Sequence, residues 1–346
     1  MKFTKEVVDL IKNYIISNIS KHPNQITQKT CDHFGITKPT VLKYINELGQ
    51  DRTIKKTGSN RYPKYQLVKT KHVWEYTNQD LEEDVLWRND IALLLTDLNN
   101  NVKDICQYGF TEMVNNVIDH SQANKLTTTL TLDYLNLEIR VADDGIGIFR
   151  KIKNTLGLEQ SSHAILELAK GKFTSDPENH SGEGIFFTSR VFDEFAIISH
   201  TLRYTDFGNT EGFIDEGILW EKQEDIPGTC VHMQIEKKSK IQLKDIFNEY
   251  ADPEKDPSFH KTIIPVKLME HEGESLISRS QAKRLINRFD KFVEVILNFD
   301  GVTQIGQAFA DQIFRVFQNK HPEVRLRMIS MTKDVENMIK RVQSNK

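Results

Sequence analysis

The apolar positions of the first seventy residues follow a helical period and then an alternating one. Apolar side chains recur at helical spacing across residues 7–19, which predicts a first helix of about four turns. A second helix is predicted over residues 26–34, ending at Gly35, and a third over residues 39–48, with Thr37 as its capping residue. Two short strands around a Gly58-Ser59-Asn60 turn follow. The pattern therefore predicts three helices and a hairpin.

A helix with one strongly apolar face is predicted at residues 110–121. That face is formed by Phe110, Met113, Val114, Val117 and Ile118. The preceding segment, residues 71–101, begins acidic and becomes apolar from Leu86, which predicts a linker helix whose apolar face packs on the next helix. Two strands are predicted after the 110–121 helix, at residues 126–133 and 137–142.

The second half of the chain alternates between polar stretches and short periodic runs. Residues 152–181 are polar, with one predicted helix at 162–170. A helix is predicted from Ile185, and residues 228–235 read as a loop that enters a strand. From residue 258 to 346 the pattern predicts strands that alternate with helices. The strands are at 262–269, 293–302 and 324–331, and the helices are at 280–292, at 305–320 and from Lys333. Such alternation is typical of a small α/β layer.

Composition restricts the class of protein. A chain of 346 residues can hold two or three domains, and 38% hydrophobic with 27% charged residues is typical of a water-soluble protein. No apolar run reaches the length of about 18 residues that spans a bilayer, and the N-terminus lacks the apolar core of a signal peptide. We therefore expect a cytoplasmic protein without a membrane partner. Cys31, Cys106 and Cys230 lie far apart and are expected to be reduced.

Positive charge is concentrated at the N-terminus. Residues 1–70 contain 13 of the 46 Lys and Arg residues but 5 of the 49 Asp and Glu residues. Three helices followed by a basic hairpin resemble the winged-helix DNA-binding fold, whose third helix enters the major groove while the hairpin contacts phosphates. The resemblance implies duplex DNA as a partner, contacted by Lys38, Thr40, Lys43, Tyr44, Lys55, Lys56 and Arg61. The alternative is a winged helix that binds another protein.

The 110–121 helix and the strand after it carry residues suited to nucleotide chemistry. Glu112 and Asn116 are four residues apart, so a helix places both side chains on one face, one turn apart. Asp143 ends a strand in the sequence VADDGIGI, where its carboxylate can accept the exocyclic amine of adenine. Gly145 and Gly147 let the backbone approach the base and sugar.

Two later segments add a phosphate cradle and a hydroxyl group. Gly182 and Gly184 precede a predicted helix, and the unpaired N–H groups and dipole of a helix start favour an anion. Thr229 lies at the entry to a predicted strand. Taken in order, the four segments resemble the N box, the G1 box, the G2 box and the final Gly-Thr box of the GHKL ATPases, the family of gyrase, Hsp90, histidine kinases and anti-sigma-factor kinases.

The GHKL resemblance implies the Bergerat fold, an α/β sandwich with a mixed sheet covered on one side by helices. ATP would lie between the helices and a mobile lid at residues 152–181, from which Lys170 and Lys172 can reach phosphate or remain solvated. In the resemblance Asn116 ligates Mg²⁺, Glu112 activates the nucleophile and Asp143 reads adenine, with Asp144 as a structural or water-holding neighbour. The other implied cofactor-binding residues are Asp119, Gly145, Gly147, Gly182, Gly184 and Thr229.

The order of these four segments leads to an expected function. No histidine-bearing dimerisation helix precedes the N box, so the chain does not resemble an ordinary histidine kinase. We expect an ATP-binding regulator that hydrolyses ATP slowly and couples nucleotide state to DNA or protein binding. The alternatives are a serine/threonine protein kinase of the anti-sigma-factor type and a non-catalytic nucleotide-sensing transcription factor. The sequence leaves the oligomeric state open, with a homodimer among the expectations.

The C-terminal part carries a second resemblance. The run LNFDGVTQIGQAFADQIF at residues 297–314 resembles STAS-like domains, in which an Asp-Gly-Val sequence precedes a phosphorylatable Ser at a helix start. Here the helix start is Gly306-Gln307-Ala308, and Thr303 is a remote substitute for the serine. A docking or dimerisation module that binds a protein partner is therefore favoured. The expected domains are 1–70 winged helix, 71–101 linker helix, 102–236 ATP-binding domain and 258–346 STAS-like domain.

Overall fold

The protein is described by a computed structural model that covers residues 3–173, 182–206, 226–252, 256–270 and 275–344. These ranges contain both helices and β-sheets, so the prediction that the protein mixes the two is confirmed. Residues 174–181, which belong to the predicted lid, lie outside the described residues.

The N-terminal unit consists of three helices and a hairpin, as the apolar pattern predicts. The helices are α1 (Lys5–Asn18), α2 (Ile26–Phe34) and α3 (Lys38–Gln50), and the antiparallel strands are β1 (Ile54–Gly58) and β2 (Pro63–Leu67). Gly35 ends α2 in the left-handed conformation, which a residue without a Cβ adopts at little cost. Ile11, Ile15, Val41 and Ile45 belong to a core of buried residues that is separate from the main core, and Leu135 is packed against its edge.

The prediction of a linker helix over residues 71–101 is wrong for the first part of that segment. Thr70–Thr77 forms β3, in which half-buried His72, Trp74 and Tyr76 alternate with exposed residues. This period of two indicates a strand, and the exposed apolar Val73 between His72 and Trp74 obscures it. The helical part is shorter, with α4 (Glu83–Leu86) continuing as a π-turn (Trp87–Ile91) and a 3₁₀ turn (Ala92–Leu94).

The central unit is built on a six-stranded sheet with helices packed on it. Its strands are ordered β3-β4-β5-β8-β6-β7, where β4 is Lys125–Leu132, β5 Asn136–Asp143, β6 Glu194–His200, β7 Leu202–Asp206 and β8 Ile226–Glu236. All neighbouring pairs in this sheet are antiparallel, so the expected mixed sheet is wrong. Its helices are α5 (Asn100–His120), α6 (Ile148–Leu156), α7 (His163–Lys170), α8 (Gly184–Val191) and α9 (Leu243–Tyr250).

Helix α5 packs lengthwise on the sheet because its apolar residues lie on one face. Phe110, Met113 and Val114 are at most 1% exposed, and they share a core with Ile139 of β5. The centroids of the Trp87 and Phe110 rings are 5.7 Å apart, which confirms that the segment before α5 packs on this helix. Glu112 and Asn116 lie on a different face of α5 and are partly exposed.

The C-terminal unit is a three-stranded parallel sheet with helices. Strands β9 (Ala251–Asp252) and β10 (Asp256–Phe259) form a short antiparallel pair before it. The sheet order is β11-β12-β13, with β11 Lys261–Pro265, β12 Glu294–Asn298 and β13 Arg325–Ile329. The helices are α10 (Arg279–Ile286), α11 (Gln307–Asp311) extended by a π-turn (Gln312–Phe317) and α12 (Gln318–Lys320), and α13 (Lys333–Ser344).

The central and C-terminal units share one hydrophobic core, and α7 lies between them. All residues of α7 from Ala164 to Lys170 are buried, and Ile264 of β11 belongs to the same core as Leu168. The assignment of α7 to a mobile lid is therefore wrong, because both of its sides are packed. Among the described residues, no helix combines the length and apolar content needed to cross a membrane. Cys31, Cys106 and Cys230 are unpaired, as expected.

We predict two separate unfolding transitions, because the N-terminal core and the shared core are distinct. Ile15 and Ile264 are both fully buried, one in each core. Ile15→Ala and Ile264→Ala should each cost about 2–5 kcal/mol, the usual cost of truncating a buried aliphatic side chain. Differential scanning calorimetry should show that each substitution lowers a different transition. A single transition lowered equally by both variants would contradict this division.

Candidate functional site

A cavity of about 300 Å³ lies between α5, α6, α8 and the ends of β5 and β8. Of the nine residues that sequence analysis assigned to catalysis and cofactor binding, eight line it: Glu112, Asn116, Asp119, Asp143, Gly147, Gly182, Gly184 and Thr229. The remaining residue, Gly145, lies against the cavity wall at Ser121. Four segments that are far apart in the sequence are thus brought to one place.

Helix α5 supplies the carboxylate and the amide. Asn116 lines the cavity, and its Nδ2 group donates a hydrogen bond to the Glu112 carbonyl oxygen at 2.8 Å, which uses a donor of the amide and not its acceptor Oδ1. The Glu112 carboxylate lies against Gly184 at the start of α8, so close that a Cβ at position 184 would overlap Oε2. A glycine there allows the helix start and the carboxylate to be neighbours.

Asp143 and Asp144, although adjacent, have different environments. Asp143 Oδ1 accepts a hydrogen bond from the Gly145 N–H at 2.7 Å. Burial raises the pKa of Asp143 to about 6, while hydrogen bonds from the Gly145 and Thr229 backbones oppose the shift. Asp144 Oδ1 accepts the N–H groups of Asn124 and Lys125 at 2.8 and 2.9 Å, and its pKa is lowered by these bonds. Asp144 therefore has the structural one of its two expected roles, and Asp143 lines the cavity.

Thr229 connects β8 to the start of α6. Its hydroxyl oxygen accepts the N–H of Ile148 at 3.0 Å, so the hydroxyl proton remains to be donated elsewhere. Gly147 immediately precedes α6 with a φ of 83°, a conformation that favours glycine. A Cβ at Gly147 would crowd Ser199 Oγ and the His200 ring. The backbone here is packed from both sides, so the helix start is held in place.

Lys151 and Phe173 are among the residues of the cavity wall that sequence analysis missed. Lys151 Nζ donates to the His120 carbonyl oxygen at 2.8 Å, and burial lowers the pKa of Lys151 while Asp119 opposes the shift. The sequence contained a signal for Lys151. It follows Ile148 by three residues, so a helix places both side chains on the face that lines the cavity. No comparable signal marks Phe173, which lies in a loop far along the chain.

Lys170 and Lys172 were expected to reach phosphate or to remain solvated, and the structure gives both of them protein partners. Lys170 is fully buried and bonded to Glu167, so it is not available to an incoming phosphate. Lys172 Nζ donates to the Lys291 carbonyl oxygen at 3.1 Å, in the C-terminal unit. Among the described residues, no three His, Cys, Asp or Glu side chains are arranged to hold a metal ion.

The basic residues of the predicted DNA-contact set are all exposed, whereas Thr40 and Tyr44 of that set are not. Lys38, Lys43, Lys55, Lys56 and Arg61 are exposed, and Thr40 is half-buried. Tyr44 is 5% exposed and packs in the core of the unit, so its assignment as a surface contact is wrong. The helical period places Tyr44 on the same face as Val41 and Leu48, which are buried. Tyr62, which sequence analysis missed, is 68% exposed beside the Arg61 guanidinium.

Comparison with known proteins identifies one part of the chain. Residues 281–336 match a family model described as a STAS-like domain of unknown function (DUF4325). This confirms the expected STAS-like domain within residues 258–346. A search of curated proteins found no match to the chain.

We predict that Gly145→Ala destabilises the fold. A Cβ at position 145 would overlap the backbone carbonyl of Ser121, which cannot move without shifting the end of α5. The expected loss is about 1–3 kcal/mol of unfolding free energy, measured by urea denaturation. The control is Gly49→Ala in α3, where the nearest atom lies 4.0 Å away. It should be neutral or stabilising by about 0.5–1 kcal/mol. Equal stability of the two variants would contradict the close packing at Gly145.

Proposed function

We propose that the central cavity binds ATP together with Mg²⁺, and that nucleotide state controls how the protein binds DNA or a protein partner. The observation that carries the proposal is the convergence of Glu112, Asn116, Asp143, Gly184 and Thr229 on one cavity. These residues come from the four segments whose order resembles that of the GHKL ATPases. A volume of about 300 Å³ is at the lower end of the usual range for ligand pockets.

The wall residues suit the two ends of a nucleotide. At one end, Asp143 offers a buried carboxylate to an exocyclic amine, and the Thr229 hydroxyl can donate to a ring nitrogen. At the other end, α8 begins at Gly184, and its first N–H groups have no partner within the helix. Apolar Val141, Ile148 and Ile152 line the space between.

The residues present also fit a magnesium ion that depends on the nucleotide. Asn116 Oδ1 is the protein oxygen offered to the ion, and the described residues provide no cluster of carboxylates that would hold it alone. Magnesium is commonly held by few protein groups together with phosphate oxygens. When bound, it supplies neutralisation of phosphate charge.

Glu112 is the residue proposed to act on the nucleophile. Its carboxylate lies beside Gly184, next to the proposed phosphate cradle, where it can orient and deprotonate a water molecule or a hydroxyl group. The remaining side chains hold the reactants and stabilise charge, which is how phosphoryl transfer is generally catalysed. Water as acceptor makes the protein an ATPase, and a protein hydroxyl makes it a kinase.

We predict that Asp143→Asn and Glu112→Gln affect different steps. Asp143→Asn should weaken ATP binding by about 10–150-fold, because it removes a charged acceptor for the adenine amine. Glu112→Gln should leave binding nearly unchanged and lower turnover by about 10²–10⁴-fold, the usual contribution of a general base. Isothermal titration calorimetry and release of γ-labelled phosphate measure the two effects, and labelled protein reveals transfer to a hydroxyl group.

Asp104→Asn is the matched control, because Asp104 is an exposed carboxylate on the same helix as Glu112. Adenosine, which has no phosphate, should bind the wild type more weakly as pH falls through about 6, where Asp143 becomes protonated. The Asp143→Asn variant should lack this pH dependence. Unchanged turnover in Glu112→Gln would refute its proposed role, and turnover absent from the wild type would favour a nucleotide sensor.

We predict salt-sensitive DNA binding by the N-terminal unit. Lys55, Lys56 and Arg61 are exposed on or next to the β1–β2 hairpin, so they can replace counterions on DNA phosphates. Substituting all three by Ala should reduce the slope of log affinity against log salt by about 0.9 for each lost contact, measured by fluorescence anisotropy. Lys244→Ala, exposed on α9, should leave the slope unchanged. Absence of salt-dependent binding by the wild type would remove DNA from the proposal.

A further inference from the structure

Three charged side chains are buried where α7 meets the STAS-like domain. Lys170 and Glu167 are 0% and 3% exposed, and Arg288 has a side chain that is 9% exposed. Lys170 Nζ donates to Glu167 Oε1 at 2.7 Å and to the carbonyl oxygens of Arg284 and Asn287, each at 3.0 Å. All three ammonium donors therefore have acceptors, two of them on the other side of the interface.

Arg288 crosses the same interface in the opposite direction. Its Nη1 donates to Glu167 Oε2 at 3.1 Å, and its Nη2 donates to the carbonyl oxygens of Gly171, at 2.9 Å, and Lys172. The planar guanidinium suits this arrangement, because it presents several donors in a fixed fork. Arg288 has a φ of 66°, a region uncommon for residues with a Cβ. The surrounding contacts hold the residue in this conformation.

The backbone that Arg288 holds forms part of the cavity wall. Gly171 and Phe173 both line the cavity, and the Arg288 guanidinium lies 5.8 Å from the centre of the Phe173 ring. The Phe173 backbone in turn lies so close to Gly182 that a Cβ at position 182 would approach it to 2.5 Å. Gly182 leads into α8, whose start is the proposed phosphate cradle. A chain of direct contacts therefore runs from Arg288 to that cradle.

We propose that Arg288 is a positioning residue for the phosphate end of the cavity, so that the STAS-like domain completes the nucleotide site of its own chain. This inference rests on the proposed nucleotide binding and adds to it a specific role for the C-terminal domain. The domain is then not only a docking module, because movement of its Arg288 would also move the wall of the nucleotide site.

The charge balance decides which substitution tests the role without unfolding the protein. The three side chains comprise two cations and one anion, so removing Glu167 would leave two buried cations unpaired. Removing the guanidinium of Arg288 leaves the Lys170–Glu167 pair intact and electrically balanced. Arg288→Met, which keeps an unbranched side chain, is therefore the suitable variant. The control is Arg279→Met, an exposed arginine of the adjacent α10.

The experiment compares two ligands on the full chain by calorimetry. Arg288→Met should weaken MgADP binding about tenfold or more, since the phosphate end loses its support, and change adenosine binding less than about twofold. Arg279→Met should change neither. Arg288→Lys should give an intermediate loss of MgADP affinity, because one ammonium group cannot bond Glu167 and both carbonyls with the geometry of a guanidinium. If Arg288→Met does not fold, Arg288→Lys carries the comparison alone.

Hydrogen exchange supplies a readout that altered stability alone would not change. In the wild type, MgADP should slow exchange of the backbone amides at residues 288–292, within the STAS-like domain, and this protection should disappear in Arg288→Met. Unchanged MgADP affinity in the variant would overturn the inference and leave nucleotide binding standing. Equal losses for MgADP and adenosine would also overturn it, by showing general destabilisation. A wild type that binds neither ligand would overturn both proposals.

Discussion

The packing of α5 on the central sheet is the constraint on which the cavity depends. Phe110, Met113 and Val114 are almost completely buried on one face, so the rotation of the helix about its axis is determined. With that rotation set, Glu112 and Asn116 are directed toward the cavity and toward the start of α8. The hydrophobic effect thus positions polar groups that contribute little to stability themselves.

The second constraint is the burial of α7 between helices α6 and α8 on one side and strand β11 on the other. A helix that is apolar on more than one side must be covered on more than one side, and α7 is covered by the central core and by β11. Burial lowers the pKa of Lys170 to about 8, and the adjacent Glu167 carboxylate opposes this shift. Buried charges of this kind are expensive unless their donors and acceptors are all paired. The pairing here requires groups from both units, which joins the STAS-like domain to the central one.

Several wrong predictions share one physical origin, which is that local pattern does not report the neighbours of an element. Tyr44 lies in a basic helix and was assigned to the surface, although its position one turn after Val41 places it inward. Lys170 is charged and was assigned to solvent or phosphate, although α7 has seven consecutive buried residues. Residue type predicts a helix at β3 because the exposed apolar Val73 interrupts the alternation of aromatic and polar residues. Residue type is a local property, whereas the burial of a residue depends on the elements that pack against it.

The sequence alone determined the helices and strands of the N-terminal and C-terminal units, because their hydrophobic periods and glycine positions are encoded within a few residues. It also provided the residue types of the proposed nucleotide site, in the order Glu112, Asn116, Asp143, Gly182, Gly184 and Thr229. Tertiary structure alone decided the antiparallel order of the sheet, the inclusion of Lys151 and Phe173 in the cavity wall, and the contact of Arg288 with Gly171. Those relations join residues distant in the chain, and they depend on how whole elements pack rather than on the preference of any one segment.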